Sequence, residues 1–293
     1  MAKWRISSLG TLTPSGKIIG IPFGAETVLE IDPVTKTTNQ FGVISSTLRR
    51  KWLGGVLGDN GKVYAIPYDA DAVLEIDPDS HTLSLFGNLG SAPCKWYGAR
   101  CDLMCRSSPP AALCHPAPCH PRSTDGAKAP NGRIYAIPYA ADFVLEIDPA
   151  LRTALPFALV DAGWGKWAGG VLAPNGRIYG IPALATSILE IDPQAAAVRT
   201  FGMLPGDGTV LTDKWNGGVV APNGKLYGIP WRSASVLEFD PETHSISLLG
   251  RLAVTNFTWH GGVLASDGRI IALPYNSRRA PHPPASAARV LAL

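Results

Sequence analysis

The chain has 293 residues, 46% of them hydrophobic and 17% charged, a composition that builds a substantial core and excludes a disordered protein. Its formal charge of +3 comes from Arg278, Arg279 and Arg289 and a slightly basic stretch at 100–126. The near-neutral remainder lacks the basic stripe that a phosphate backbone requires, so nucleic acid is not an expected partner.

No apolar run approaches the roughly 20 residues that cross a bilayer. The start "MAKWRISSLGTLTPSG" lacks the basic-then-apolar layout of a secretory leader. A soluble, cytoplasmic chain with no membrane contact is expected.

In chain order the sequence repeats itself. "GKIIGIPFGAETVLEIDP" at 16–33 returns as "GKVYAIPYDADAVLEIDP" at 61–78, "GRIYAIPYAADFVLEIDP" at 132–149 and "GRIYGIPALATSILEIDP" at 176–193. "GKLYGIPWRSASVLEFDP" follows at 224–241, and a reduced copy starts at Gly268. The period is about 44 residues, with one interval too long.

Each copy reads as four short strands, exemplified by "GGVLAP", "RIYGIP", "SILEID" and the variable "TLSLFG". Asn60-Gly61, Asn131-Gly132, Asn175-Gly176, Asn223-Gly224 and Asp267-Gly268 mark the first hairpin, expected as a two-residue turn with positive φ. Asp32-Pro33, Asp77-Pro78, Asp148-Pro149, Asp192-Pro193 and Asp240-Pro241 start a second turn, where Pro presets φ and Asp accepts from backbone amides. Pro22, Pro67, Pro138, Pro182, Pro230 and Pro274 must end strands, because an inner strand cannot lose a donor in mid-ladder.

Four-stranded units at this period predict an all-β fold, a six-bladed β-propeller forming a single domain over 1–293. The sixth copy stops at "RVLAL", its third strand. Closure therefore needs residues 2–9, "AKWRISSL", as its outer strand; otherwise the ring stays incomplete.

Two stretches interrupt the pattern: a Cys/Pro-rich insertion at 100–126 in blade 3 and a basic Pro/Ala-rich one at 278–288 in blade 6. Excising 100–126 restores the distance of nine residues from Trp96 to the turn glycine seen after Trp52, Trp167, Trp215 and Trp259. Its Cys101, Cys105, Cys114, His115, Cys119 and His120 are soft ligands that could hold zinc. Their spacing matches no standard zinc pattern, and the clean in-frame excision reads as a loop or as translated non-coding sequence. Only Cys94 lies outside the insertion, so the body has no disulfide framework.

Tracing a blade puts the start of the inner strand and the loop after each proline on one face. There stand Lys51-Trp52, Lys95-Trp96, Lys166-Trp167 and Lys214-Trp215, with Trp259-His260 in the sixth copy. Phe23, Tyr68, Tyr139, Trp231 and Tyr275 follow the prolines. Such a face offers aromatic rings to peptide side chains or sugars and lysines to carboxylates, although Trp wedged between sheets gives the same repetition. Departures from the repeat, His260, Trp231, Arg232 and Asn216, are the sharper functional candidates.

Glu30, Glu75, Glu146, Glu190 and Glu238 could ring a cation, but they are expected as members of cross-strand charge pairs with the cation position of Lys62, repeated at Arg133, Arg177, Lys225 and Arg269. The expected register sets Glu75 opposite Ala65 and Lys62 beside Asp77.

"GGVLAPNGRIYGIP…SILEIDP" resembles the NHL-type, virginiamycin B lyase-like and gluconolactonase-like propellers across nearly the whole chain. The resemblance rests on turn residues and implies the fold. Its enzymatic relatives imply a histidine base or a funnel of acidic and amide metal ligands, and no matching set carries over residue by residue. The expected function is a non-catalytic binding or scaffold module that engages a protein or peptide through the Lys/Trp/Tyr face without a cofactor. The alternatives are a lyase- or lactonase-type enzyme using His260 and a divalent cation in the funnel, and a carbohydrate-binding lectin.

Overall fold

The structure is a computed structural model and describes residues 6–45, 48, 50–89, 126–161, 163, 165–204, 213–252 and 259–274. The chain divides into two compact units, Met1–Trp164 and Gly165–Leu293. In the first unit blade 1 consists of β1 (Ile6–Leu12), β2 (Ile18–Pro22), β3 (Val28–Asp32) and β4 (Thr37–Phe41). Blade 2 consists of β5 (Trp52–Leu57), β6 (Val63–Pro67), β7 (Val73–Asp77) and β8 (Thr82–Phe86). Blade 3 consists of β9 (Gly126–Lys128), β10 (Ile134–Ala136), β11 (Phe143–Asp148) and β12 (Thr153–Leu159).

In the second unit blade 4 consists of β13 (Trp167–Leu172), β14 (Ile178–Pro182), β15 (Ile188–Asp192) and β16 (Ala197–Phe201). Blade 5 consists of β17 (Trp215–Val220), β18 (Leu226–Pro230), β19 (Val236–Phe239) and β20 (Ile246–Leu249). Blade 6 is described through β21 (Trp259–Leu264) and β22 (Ile270–Pro274). Every sheet is an antiparallel meander in chain order, which is the blade of a β-propeller, as the repeat predicts. No helix among the described residues is long and apolar enough to cross a membrane.

The first hairpin differs from expectation in its loop. Gly61 takes φ of 78° while Asn60 stays at negative φ, and Gly61 N–H donates to Gly58 O at 3.2 Å. That is a three-residue loop, a turn followed by a left-handed glycine, rather than the expected two-residue turn. Asn60 instead ties the hairpin together through its side chain. Its Oδ1 accepts from Lys62 N–H at 3.2 Å and its Nδ2 donates to Tyr64 Oη at 2.9 Å. At the second turn Asp77 Oδ1 accepts from the amides of Asp79 and Ser80 at 3.1 and 3.0 Å. The chain then passes through a non-glycine residue at positive φ in every described copy: Lys36, His81, Arg152, Ala196 and His244.

The core lies between successive blades. Trp52, Leu74 and Ile76 of blade 2 pack on Ile21, Val28 and Phe41 of blade 1, and Trp215, Leu237 and Phe239 of blade 5 pack on Tyr179, Ile181 and Ile188 of blade 4. The inner strands of blades 2, 4, 5 and 6 bulge between their Trp and the second glycine of "GG". The first of these glycines sits at positive φ, 90° at Gly169 and 74° at Gly217, where backbones meet. A Cβ on Gly169 would lie 2.7 Å from Gly217 Cα, and one on Gly217 would lie 3.2 Å from Gly261 Cα.

Residues 6–9 belong to β1, the inner strand of blade 1, held by pairs such as Leu12 with Ile18. They are therefore not the outer strand of blade 6, because the "TPSG" turn folds them back on their own sheet. Residues 2–5 and the end of the chain lie outside the described residues.

Candidate functional site

The Lys-Trp face is built by the loop after the proline folding back over the start of its own blade's inner strand, as blades 2, 4 and 5 show. Lys166 O accepts from Ala183 N–H and Ala185 N–H at 2.9 and 3.1 Å, and Lys214 O accepts from the amides of Trp231, Arg232 and Ser233 at 2.9 to 3.2 Å. These bonds tuck the following aromatic inward: Phe23, Tyr68, Tyr139 and Trp231 are buried, and Phe23 and Tyr68 meet edge to face at 5.2 Å. Trp52, Trp167, Trp215 and Trp259 are buried too. Three of these indoles donate to a carbonyl twenty residues on: Trp52 to Ala72 O, Trp167 to Ser187 O and Trp215 to Ser235 O, at 2.8 to 2.9 Å. In those three copies the indole is thus wedged and anchored. Lys95, Trp96 and Tyr275 lie outside the described residues.

The lysines differ among themselves. Lys214 Nζ donates to Ala183 O and Ala185 O at 2.9 and 3.0 Å and lies 5.8 Å from the Trp215 ring centroid. Lys166 is buried. Lys51 is 0% exposed, and its ammonium meets no acceptor among the described residues.

Blades 5 and 6 break the repeat at one register position. The residue after the inner-strand Trp is Leu53 in blade 2 and Ala168 in blade 4, both buried and apolar. In blades 5 and 6 it is Asn216 and His260, 1% and 5% exposed. The His260 ring packs edge-on to Trp231, centroids 5.3 Å apart and planes at 70°. Arg232, the fourth singled-out departure, follows Trp231 in the same loop, its N–H on Lys214 O at 3.2 Å. Next to it stands buried Ser233, whose Oγ accepts from Ser235 N–H at 3.1 Å, and buried Asp213 precedes Lys214. Neither of these last two stands out from the repeat pattern. Ser233 was detectable as a hydroxyl where Ala70, Ala141 and Ala185 stand in other copies. Buried polar side chains gathered in one stretch of the second unit, where Leu53 and Ala168 hold the same register apolar in other blades, mark the candidate site.

The glutamate series pairs within and between sheets. Glu75 stands opposite Tyr64, with Ala65 opposite Leu74, one residue off the expected register. The loop is responsible: Tyr68 and Ala70 N–H bond to Lys51 O and Asp69 N–H to Arg50 O, so the preceding inner strand sets where the chain turns. Lys62 Nζ reaches Glu75 Oε1 at 2.9 Å and Asp77 Oδ2 at 3.8 Å. Arg152 of blade 3 donates to both Glu75 oxygens at 2.8 Å, and His81 Nε2 of blade 2 lies 3.1 Å from Glu30 Oε2. Both of these side chains start from a positive-φ turn residue.

Burial pushes the Glu75 carboxyl up, and Lys62 and Arg152 more than offset that, holding it below its usual value. Burial raises the Tyr135 and Tyr179 phenols to about 12. Among the described residues no three His, Cys, Asp or Glu side chains converge where they could hold a metal ion. Cys101, Cys105, Cys114, His115, Cys119 and His120 lie outside the described residues.

No family model matches the chain, and no curated protein matches it by sequence. Its backbone is similar to that of a streptogramin B lyase, with TM-score 0.66 and 11% identity over 90% of this chain and 75% of that one. It is similar to a catalytically inactive histidine-to-alanine variant of virginiamycin B lyase from Staphylococcus aureus with quinupristin, with TM-score 0.66 and 12% identity over 96% and 88% of the two chains. It is also similar to Kuenenia stuttgartiensis hydrazine synthase, with TM-score 0.59 and 12% identity over 92% and 74%. At these identities the likeness establishes the fold, a β-propeller, and leaves activity open.

Proposed function

We propose that the protein is a non-catalytic binding module that engages a peptide or protein partner through the loop-bearing face of blades 5 and 6, and that it needs no cofactor. One observation carries the reading: the repeat's buried apolar position becomes Asn216 and His260 in two consecutive blades, with His260 against Trp231. Carboxamide, imidazole, indole and hydroxyl groups gathered this way suit the amides and side chains of a peptide. Trp215, directly before Asn216, is held in place by its bond to Ser235 O.

A selection of displayed random peptides on the wild-type protein, with counter-selection on an Asn216→Leu/His260→Leu variant, tests this. The expected result is a consensus that binds wild type and binds the variant at least about tenfold more weakly. Repeated equivalent sugar sites, one per blade, would point to a lectin instead.

A second reading has its own observation: two neighbours are lyases, and the inactivity of one variant is tied to a histidine. His260 is the histidine this reading would use, as a base. Consumption of quinupristin by wild type and not by His260→Ala would replace the binding reading.

A further inference from the structure

Lys51 holds a place in the first unit that the reading above does not use. Its main chain is fully engaged: the N–H donates to Phe23 O at 2.7 Å, and the carbonyl accepts from Tyr68 and Ala70 N–H at 2.9 and 3.2 Å. Its side chain is buried with an ammonium that has no acceptor among the described residues. Lys214 occupies the same repeat position and satisfies its ammonium on Ala183 O and Ala185 O. The corresponding residues before Lys51 are Phe23 and Ala25, and their carbonyls do not take up its Nζ.

An ammonium buried without partners is among the costliest arrangements a fold can keep, and an apolar side chain of similar length would remove the cost. What surrounds the residue is suited to a ligand. The two residues its backbone bonds to, Phe23 and Tyr68, meet edge to face at 5.2 Å, and the Arg50 guanidinium, 5.4 Å from the Tyr68 ring centroid, is paired with Asp69 at 2.8 Å, so Lys51 is left as the cation to be matched. Burial lowers the Lys51 pKa, opposed by the charge of Glu26, which acts through space without a hydrogen bond. Glu26 is exposed, so its carboxylate lies on the solvent side of the pair.

We infer that Lys51 is the anchor for a carboxylate delivered from outside, in a site at the joint of blades 1 and 2 walled by Phe23 and Tyr68. A four-carbon stem lets the ammonium swing toward the Glu26 side to meet it. The carboxylate belongs either to a small aromatic or aliphatic acid or to an acidic residue of a partner peptide, the chemistry at Lys51 being the same. Binding restores a counter-charge to the ammonium, so it takes up protons at alkaline pH, and Glu26 competes with the ligand for the same charge.

The test uses the full chain titrated with sodium benzoate and, separately, with a short Glu-rich peptide, in wild type, Lys51→Met and Glu26→Gln. Binding of either probe to wild type is expected, weakened at least about tenfold by Lys51→Met and tightened about twofold or more by Glu26→Gln. Benzoate binding identifies the small-acid source, and peptide binding without benzoate binding identifies the partner source. Lys51→Met is expected to unfold at the same or higher temperature than wild type, since Met fills the stem's volume without the charge. The inference is overturned if neither probe binds wild type, if Lys51→Met binds as wild type does, or if Lys51→Met is markedly less stable. Failure of the peptide selection on blades 5 and 6 leaves these outcomes unaffected, because they are read at Lys51.

Discussion

His260 and Trp231 meet edge to face, centroids 5.3 Å apart, joining the inner strand of blade 6 to the loop after Pro230 in blade 5. His260 stands where blade 2 has Leu53, a fully apolar choice that the same backbone accepts. Replacing His260 with Leu is therefore expected to leave stability unchanged or raise it by about 1 kcal/mol while weakening ligand binding. Urea unfolding paired with a binding titration checks both halves, and a large loss of stability would make His260 a structural residue.

The joint between inner strands sets a second expectation. Gly217 combines φ of 74° with a Cβ position 3.2 Å from Gly261 Cα, and at Gly169 the gap is 2.7 Å to the Gly217 backbone. Gly217→Ala should cost about 1–3 kcal/mol and Gly169→Ala more, because backbone atoms cannot rotate away. Denaturant midpoints of the two variants give the order directly.

Trp215 is 0% exposed and donates to Ser235 O at 2.8 Å. Trp215→Phe leaves that buried carbonyl short of a donor and opens space, for about 1–3 kcal/mol, whereas Trp215→Ala should cost about 3–5 kcal/mol. Thermal unfolding of both is the measurement. Equal, small effects would mean that the indole is not a wedge.

Acid should open the blade joints through the glutamates. Glu30, Glu75 and Glu238 are all held below the ordinary 4.5: at Glu30 and Glu75 ion pairs more than offset burial, and at Glu238 the Lys225 hydrogen bond leads. A folded-state value below the unfolded one gives stabilisation that is complete above the unfolded value and is lost as pH falls from there through the folded value. Stability should thus fall progressively as pH drops below the ordinary glutamate range, about 4.5. Glu75→Gln should cost about 1–2 kcal/mol at neutral pH and progressively less as the pH is lowered below about 4.5, as read from urea midpoints across acid pH.

The turn residues made the blades legible and left their finer geometry hidden. Asn60-Gly61 announces a hairpin because both candidate loops need a left-handed glycine, but the loop length depends on Asn60 bonding Tyr64 Oη, a contact four residues away. Glu75 stands one residue off the expected register for a related reason: Arg50 and Lys51, just before β5, hold the amides of the intervening loop. The Lys-Trp face was read as a repeating pattern, and whether it faces solvent was undecidable until Trp52, Trp167 and Trp215 were seen donating to carbonyls twenty residues on. Asn216, Trp231, Arg232 and His260 stood out because they break the repeat. Ser233 did not, since Ser for Ala is a small change in a sequence and a large one in a buried loop.

The most direct test of the binding reading follows the indole N–H signals of the eight tryptophans by NMR as the selected peptide is added. The account predicts that the Trp231 signal moves and that Asn216→Leu/His260→Leu abolishes the shift, while Trp52, Trp167 and Trp215, anchored to carbonyls, stay in place. A Trp231 signal unmoved by a peptide that binds, or shifts confined to the three anchored indoles, would contradict it.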